Sequence, residues 1–189
     1  MAGKPKIPRR KRFFIGCEGE SEQGYAALLQ KFTDELGLAV HIVAKVMPRA
    51  GDPLAMAERA VATIAQEARG SKPAFVKRFL QFDTDIIGQN PVRDAKMVTV
   101  TATNGLTLIR QDICFESFLL RHFDGHEADR PATSAEALGR VRGTWPDYRK
   151  GASAQELARF IRLEDAQRAS SNPLNSDFAI LFETLGLNN

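Results

Sequence analysis

Cysteine is scarce in this chain of 189 residues, with two in all, Cys17 and Cys114. Both lie in apolar stretches without the paired spacing of a thiolate metal site, so each reads as a small core thiol. A chain that uses thiols this way suits a reducing, cytoplasmic setting. No run approaches the ~18 consecutive apolar residues of a membrane span, so no membrane partner is expected. The N-terminus is basic but has no apolar segment behind it, which excludes a secretory signal. No GxxxxGK[ST] loop is present, which argues against ordinary P-loop nucleotide use. Internal repeats are absent, and His41 and His126 fall into no pattern.

What remains is ordinary globular composition, 43% apolar and 26% charged. The length suits one compact domain. The net charge of +3 hides an asymmetry. Lys4, Lys6, Arg9, Arg10, Lys11 and Arg12 place six of the 26 basic residues in the first twelve positions, leaving 20 against 23 acidic ones. The body is therefore about −3, behind a basic arm over residues 1–11. Pro5 and Pro8 keep the arm from being helical. It reads either as a disordered, solubilising leader or as a phosphate-neutralising tail.

Hydrophobic spacing predicts alternating elements over residues 12–189, taken as a single domain. Arg12–Cys17 (RFFIGC) is a short buried strand. Tyr25, Leu28, Leu29, Phe32 and Leu36 recur at helical spacing and Gly37 stops that helix. Leu38–Val46 is a second strand, a helix follows from Asp52 or Pro53 to about Arg69, and Val76–Phe82 is a third strand. Pro91–Thr103 contains MVTVTAT, β-like by propensity, yet a helix there ended by Gly105 keeps the alternation and leads into a strand at Leu106–Arg110. Ile113–Phe123 reads as a buried helix. Ser134–Arg142, Ser153–Ser170 and Asp177–Leu185 are further helices, the second opened by a Ser153/Glu156 capping box, with a turn at Asn172-Pro173. Such a βαβαβ series implies a mostly parallel sheet of about four strands, flanked by helices and followed by a helical C-terminal part. Sheets of this kind bind ligands at the carboxyl ends of their strands.

Acidic residues gather at those ends. Glu18, Glu20 and Glu22 follow the first strand, and Asp83 and Asp85 follow the third. Carboxylates brought together repel unless a cation neutralises them, and Mg²⁺ (or Mn²⁺), which takes hard oxygen ligands, is the natural one. Glu20 and Glu22 have a second reading, as favourable charges at a helix start. Glu116, on the apolar helix, either faces the acidic crevice or pairs with a base such as Arg121. His122 beside it reads as a hydrogen-bonded core residue or a proton carrier. Trp145, Tyr148, Arg149 and Lys150 mix aromatic and basic groups, which either pack under a loop or touch nucleic acid.

FFIGCEGESEQGY, FDTD, ICFESFLLRHF, DYRKG (residues 147–151) and NPLNSDFAILFETL (residues 172–185), in this order, resemble the RloB-like family. That family is similar to the Toprim class, an α/β fold shared with topoisomerases, primases and OLD-type nucleases. The likeness covers nearly the whole chain outside the arm. It departs where the family reads SNP before the FE helix, here Arg110-Gln111-Asp112-Ile113, and where it has Trp or Tyr, here Phe118. The resemblance implies a Mg²⁺-dependent phosphodiesterase or nuclease of a bacterial defence system, restriction-associated or abortive-infection. It implies that Asp83 and Asp85 hold the metal and that Glu18 is a further ligand or acid/base; in such an enzyme Glu116 would be an accessory catalytic carboxylate. Arg9, Arg10, Lys11, Arg12, Arg110, Arg149 and Lys150 would contact nucleic acid. The rival reading, favoured by the acidic body, is a non-catalytic subunit of a defence complex that binds nucleic acid or another protein.

Overall fold

Four apolar runs become four strands. The computed structural model describes residues 9–47, 52–69 and 71–188. Lys4 and Lys6 of the basic arm lie outside the described residues. The chain runs β1 (Lys11–Cys17), α1 (Glu20–Glu35), β2 (Val40–Val46), α2 (Pro53–Glu67), β3 (Phe75–Asp83), α3 (Pro91–Thr103) and β4 (Leu106–Gln111). There follow α4 (Phe115–Leu120), α5 (Ser134–Thr144), α6 (Ala154–Leu157), α7 (Leu163–Ser170), a 3₁₀ turn (Pro173–Asn175) and α8 (Ser176–Leu185). The sheet has the order β2-β1-β3-β4 and every pairing is parallel. This is the α/β architecture that the alternation of elements requires, with a helical C-terminal part.

Alternation along β1 explains the two cores. Phe13, Ile15 and Cys17 face one side and pack with α1, α4 and α8 in the larger core. Phe14 faces the other side, with Leu80 and Phe82 of β3, Met56 and Ala60 of α2, and Met97 of α3. A strand buried on both faces has to be apolar at nearly every position, as this one is.

Local capping decides the ambiguous segments. Asn90 accepts the Arg93 N–H at 3.0 Å and Pro91 occupies the first turn of α3. Gly105 then ends the helix with φ +62°. A capped start and a left-handed stop outweigh the β propensity of MVTVTAT.

Two helices are shorter than their apolar patterns suggest. The expected helix over Ile113–Phe123 is confined to Phe115–Leu120, and Ile113 instead accepts the Thr84 and Asp85 N–H groups through its carbonyl. The expected helix over Ser153–Ser170 is two. The Ser153/Glu156 box opens α6, but Arg162 adopts an extended conformation before α7, with its N–H given to Asp165. The second capping group, Asp165, was hidden inside a continuous helical pattern.

Arg121 ties the helical part to the sheet. It is buried, and its guanidinium donates to Asn175 Oδ1 (2.8 Å) and to the carbonyls of Asp129 and Asp112 (both 3.2 Å). His122 is a core residue: it meets the Tyr25 hydroxyl at 2.8 Å, and burial holds it neutral, with its pKa lowered to about 4.

Both sheet edges are blunted by side chains. On β2, Gln30 accepts from the Ile42 N–H (2.7 Å) and donates to the Val40 carbonyl, while Gln23 donates to the Ala44 carbonyl. On β4, Asp177 accepts the Arg110 N–H at 3.0 Å.

The segment before α6 is clipped to the start of α1. Gly151 N–H donates to Ser21 Oγ at 2.8 Å, and a Cβ on Gly24 would run into the Ala152 carbonyl oxygen. Gly24→Ala in a helix interior would normally stabilise by about 1 kcal/mol. Here the backbone collision reverses the sign, and we expect a net loss of about 1–3 kcal/mol, read as a lowered Tm in a thermal melt.

Candidate metal centre

The pairing of β1 with β3 brings Glu18 and Asp83 together. The Asp83 N–H donates to Glu18 Oε2 at 2.8 Å. Asp83 Oδ1 accepts the Phe115 N–H at 2.9 Å, from the first residue of α4. Gln111 ends β4 opposite Asp83. Its amide nitrogen, turned toward the two acceptors it faces, donates to Asp83 Oδ1 (2.9 Å) and Glu22 Oε1 (3.2 Å).

Glu22 is the residue whose role was underread from sequence. It does serve the start of α1, because its Oε2 accepts the Gly19 N–H at 3.0 Å. It is also buried, and its other oxygen faces Gln111 beside Asp83. The signal available in the sequence was its place one helical turn in from the strand end, on the same side as Tyr25 and Ala26.

Glu116 faces the crevice rather than Arg121. Its Oε1 accepts from the Tyr148 hydroxyl (3.2 Å), and its Oε2 lies 3.3 Å from Lys150 Nζ. Glu18, Glu22, Asp83, Glu116 and Lys150 line a cleft of about 300 Å³ together with Gly19, Glu20, Ser21, Phe115 and Gly151. Asp85, expected beside Asp83, is exposed and not among the residues lining the cleft; its Oδ2 lies 3.5 Å from Ser134 Oγ.

Most of the expected basic contacts lie elsewhere. Lys11 and Arg12 begin β1, at the end of the sheet opposite the cleft. Arg12 is 6% exposed, lies 4.3 Å over the Phe75 ring and is paired with Glu67 at 3.2 Å. It is therefore a structural ion pair and not a nucleic-acid contact. The arm also ends earlier than residue 11, since Lys11 is in β1 and Arg10 pairs with Asp34 at 2.9 Å. Arg9 is exposed. Arg110 is held by Asp177 through a two-pronged pair at 2.7 and 3.1 Å. Arg149 is exposed, and Lys150 alone of the seven enters the cleft. Trp145 and Tyr148 are buried, as packing residues.

Crowding of like charge dominates the electrostatics. Burial, then Glu22, Glu18, Glu116 and Asp85 in turn, push the Asp83 carboxyl up to about 9. Burial raises Glu22 to about 7, with Glu18 and Glu116 adding to it. Burial opposes the Lys150 ammonium, but Glu116 outweighs it and raises its pKa. Tyr148 is raised by burial and by Glu116.

The donor set is all carboxylate oxygen, the chemistry of a hard divalent cation. Backbone N–H groups fix one oxygen each of Glu18, Glu22 and Asp83, the outer support that orients metal ligands. Among the described residues, no three His, Cys, Asp or Glu side chains stand arranged to hold a metal ion. Lys150 instead supplies a positive charge to the cleft. Gln81, buried two residues before Asp83 on the same strand face, has an amide nitrogen without a partner among the described residues. Comparison of the chain with family models, curated proteins and solved structures finds no match.

A carboxyl whose pKa is higher folded than unfolded holds its proton more tightly in the native state. Its stabilisation is complete below the unfolded value, near 3.8, and is lost as pH rises toward about 9. Asp83→Asn keeps the acceptor for Phe115 and removes this titration. Its Tm is expected to exceed that of the parent at pH 8–9 and to converge with it in acid, measured by thermal melts across pH in the presence of a chelator. A gap that widens toward acid would contradict the assignment.

Proposed function

We propose that the protein is a Mg²⁺- or Mn²⁺-dependent phosphodiesterase, acting as a nuclease. The observation that carries this reading is the convergence of Glu18, Glu22, Asp83 and Glu116 on one cleft, with Lys150 as the cation set among them. Burial and crowding push the Asp83 and Glu22 carboxyls up toward their protonated forms, and a divalent ion would favour ionisation of all four by neutralising their charge. The resemblance to the RloB-like family and the Toprim class points the same way, and with it a place in a bacterial defence system.

Glu18 and Asp83 would hold the ion, with Glu22 beside them. A divalent ion there supplies Lewis acidity toward a phosphoryl oxygen. The chain's own residues do the rest. Tyr148 and Lys150 orient Glu116 from two sides, which keeps one carboxylate placed to accept a proton at the cleft mouth. Lys150 is more than half exposed while Glu116 is buried, so its ammonium can turn from Glu116 to a substrate phosphate without breaking packing. Phe115 closes the floor.

Metal titration calorimetry and cleavage assays on DNA and RNA test this directly. The parent should bind Mn²⁺ and cleave at least one substrate. Asp83→Asn should lose about 10³-fold in rate, the equivalent of several kcal/mol of metal-supplied stabilisation, and Glu18→Gln should behave similarly. Equal activity in parent and variant, or no metal binding, would leave the non-catalytic reading as the better one.

A further inference from the structure

We infer that single-stranded nucleic acid runs from the cleft across a patch made by Phe160, Arg142, Arg149 and Arg159, with a base stacked on the Phe160 ring. The inference rests on the proposed function for its starting point, the cleft, and on separate residues for its path.

The charge of the chain is concentrated along this path. Residues 140–162 hold six basic side chains against two acidic ones. With this stretch and the first twelve residues set aside, the remainder is about −7. Three of the six are paired: Arg140 with Glu136 and Asp129, Arg162 with Asp165, and Lys150 with Glu116 in the cleft. Arg142, Arg149 and Arg159 are exposed and make no ion pair of that closeness among the described residues. Arg149 and Arg159 both lie within electrostatic range of Glu156 on α6. Arg142 lies against the same loop, its Nε donating to the Tyr148 carbonyl at 3.4 Å.

A chain of rings connects the cleft to the patch. Tyr148 touches Glu116 with its hydroxyl, its ring centroid lies 5.1 Å from that of Trp145, and Trp145 stacks on Phe160 at 4.3 Å with an interplanar angle of 26°. Trp145 is buried, whereas Phe160 is 43% exposed. One face of Phe160 is thus pinned by a fixed indole while the ring remains accessible to solvent. An aromatic held rigid in this way is a stacking platform at small entropic cost, and exposed arginines beside it suit the phosphates between bases. The edge contact of Tyr148 on Trp145 and the stack of Trp145 on Phe160 together span roughly the reach of one or two nucleotides. A duplex would not offer its base faces to the ring, which favours a single strand.

Fluorescence anisotropy with labelled oligo-dT and oligo-rU of about 12 nucleotides, in chelator at about 50 mM salt, tests the path without cleavage. Combined Arg142→Glu, Arg149→Glu and Arg159→Glu should weaken binding by more than about ten-fold and reduce the salt dependence by about two charges' worth. Phe160→Ala should weaken it by about ten-fold with the salt dependence unchanged, and Phe160→Trp should restore it. A labelled duplex should compete poorly. Unchanged binding in these variants, or a parent that binds neither oligonucleotide, overturns the inference; in the latter case co-sedimentation with a protein partner would reassign the patch. Oligonucleotide binding that needs Phe160, without any metal-dependent cleavage, sinks the nuclease reading and leaves this one standing.

Discussion

The parallel pairing of β1 with β3 is the constraint on which the acidic end of the molecule depends. With Gly16 opposite Leu80, the chain beyond β1 meets the end of β3, and the Asp83 N–H reaches the Glu18 carboxylate. The next pairing, Asp83 with Gln111, brings an amide donor to the same place. The turn after β1 starts α1 and so delivers Glu22, and the turn after β4 starts α4 and so delivers Phe115 and Glu116. The ends of β1, β3 and β4 meet at one point because these strands run in one direction. An antiparallel strand at either central position would have sent one carboxylate to the far side of the sheet.

Gathering those groups costs stability, and the surroundings offset it with hydrogen bonds rather than with matched charges. Backbone N–H groups of Gly19, Asp83 and Phe115 and the Tyr148 hydroxyl each donate to one carboxylate oxygen, and the Gln111 amide donates to two, sharing Asp83 Oδ1 with Phe115. Lys150 is the ammonium among them. Buried carboxylates satisfied by neutral donors keep a field that draws cations, whereas full pairing with arginine would have cancelled it. Elsewhere the same chain does pair acids with arginine, at Glu67 with Arg12 and at Asp177 with Arg110. The difference separates carboxylates that brace the fold from those exposed to a cleft.

Much of the architecture was readable from residue spacing, because strands buried on both faces and amphipathic helices leave different periods. The order of elements and the helix over Pro91–Thr103 follow from that and from caps. The break at Arg162 did not, since Asp165 acts through a side-chain bond inside an unbroken apolar pattern. Glu18 and Asp83 were legible because strand ends in a parallel sheet share one edge. Glu22 was harder: one side chain both caps α1 and faces the cleft, and sequence shows the first role more readily. The basic arm misled for a similar reason. Arg12 looked like the continuation of a charged tail, but alternation along β1 turns it toward Glu67 and Phe75. The exposed ring of Phe160 could not be read at all, because it depends on Trp145 packing against it from the end of α5.

The side chains that cap β2 and β4 bear on how copies of this protein meet one another. Gln30 and Gln23 occupy backbone groups of β2 that a further strand would need, and Asp177 does the same on β4. Extending the sheet through either border would mean stripping away bonds already made, which raises the barrier to cross-β stacking between molecules. Crowded in solution, such chains would encounter one another through helices and loops, and a larger assembly would be stitched from side chains rather than grown as a continuous ribbon.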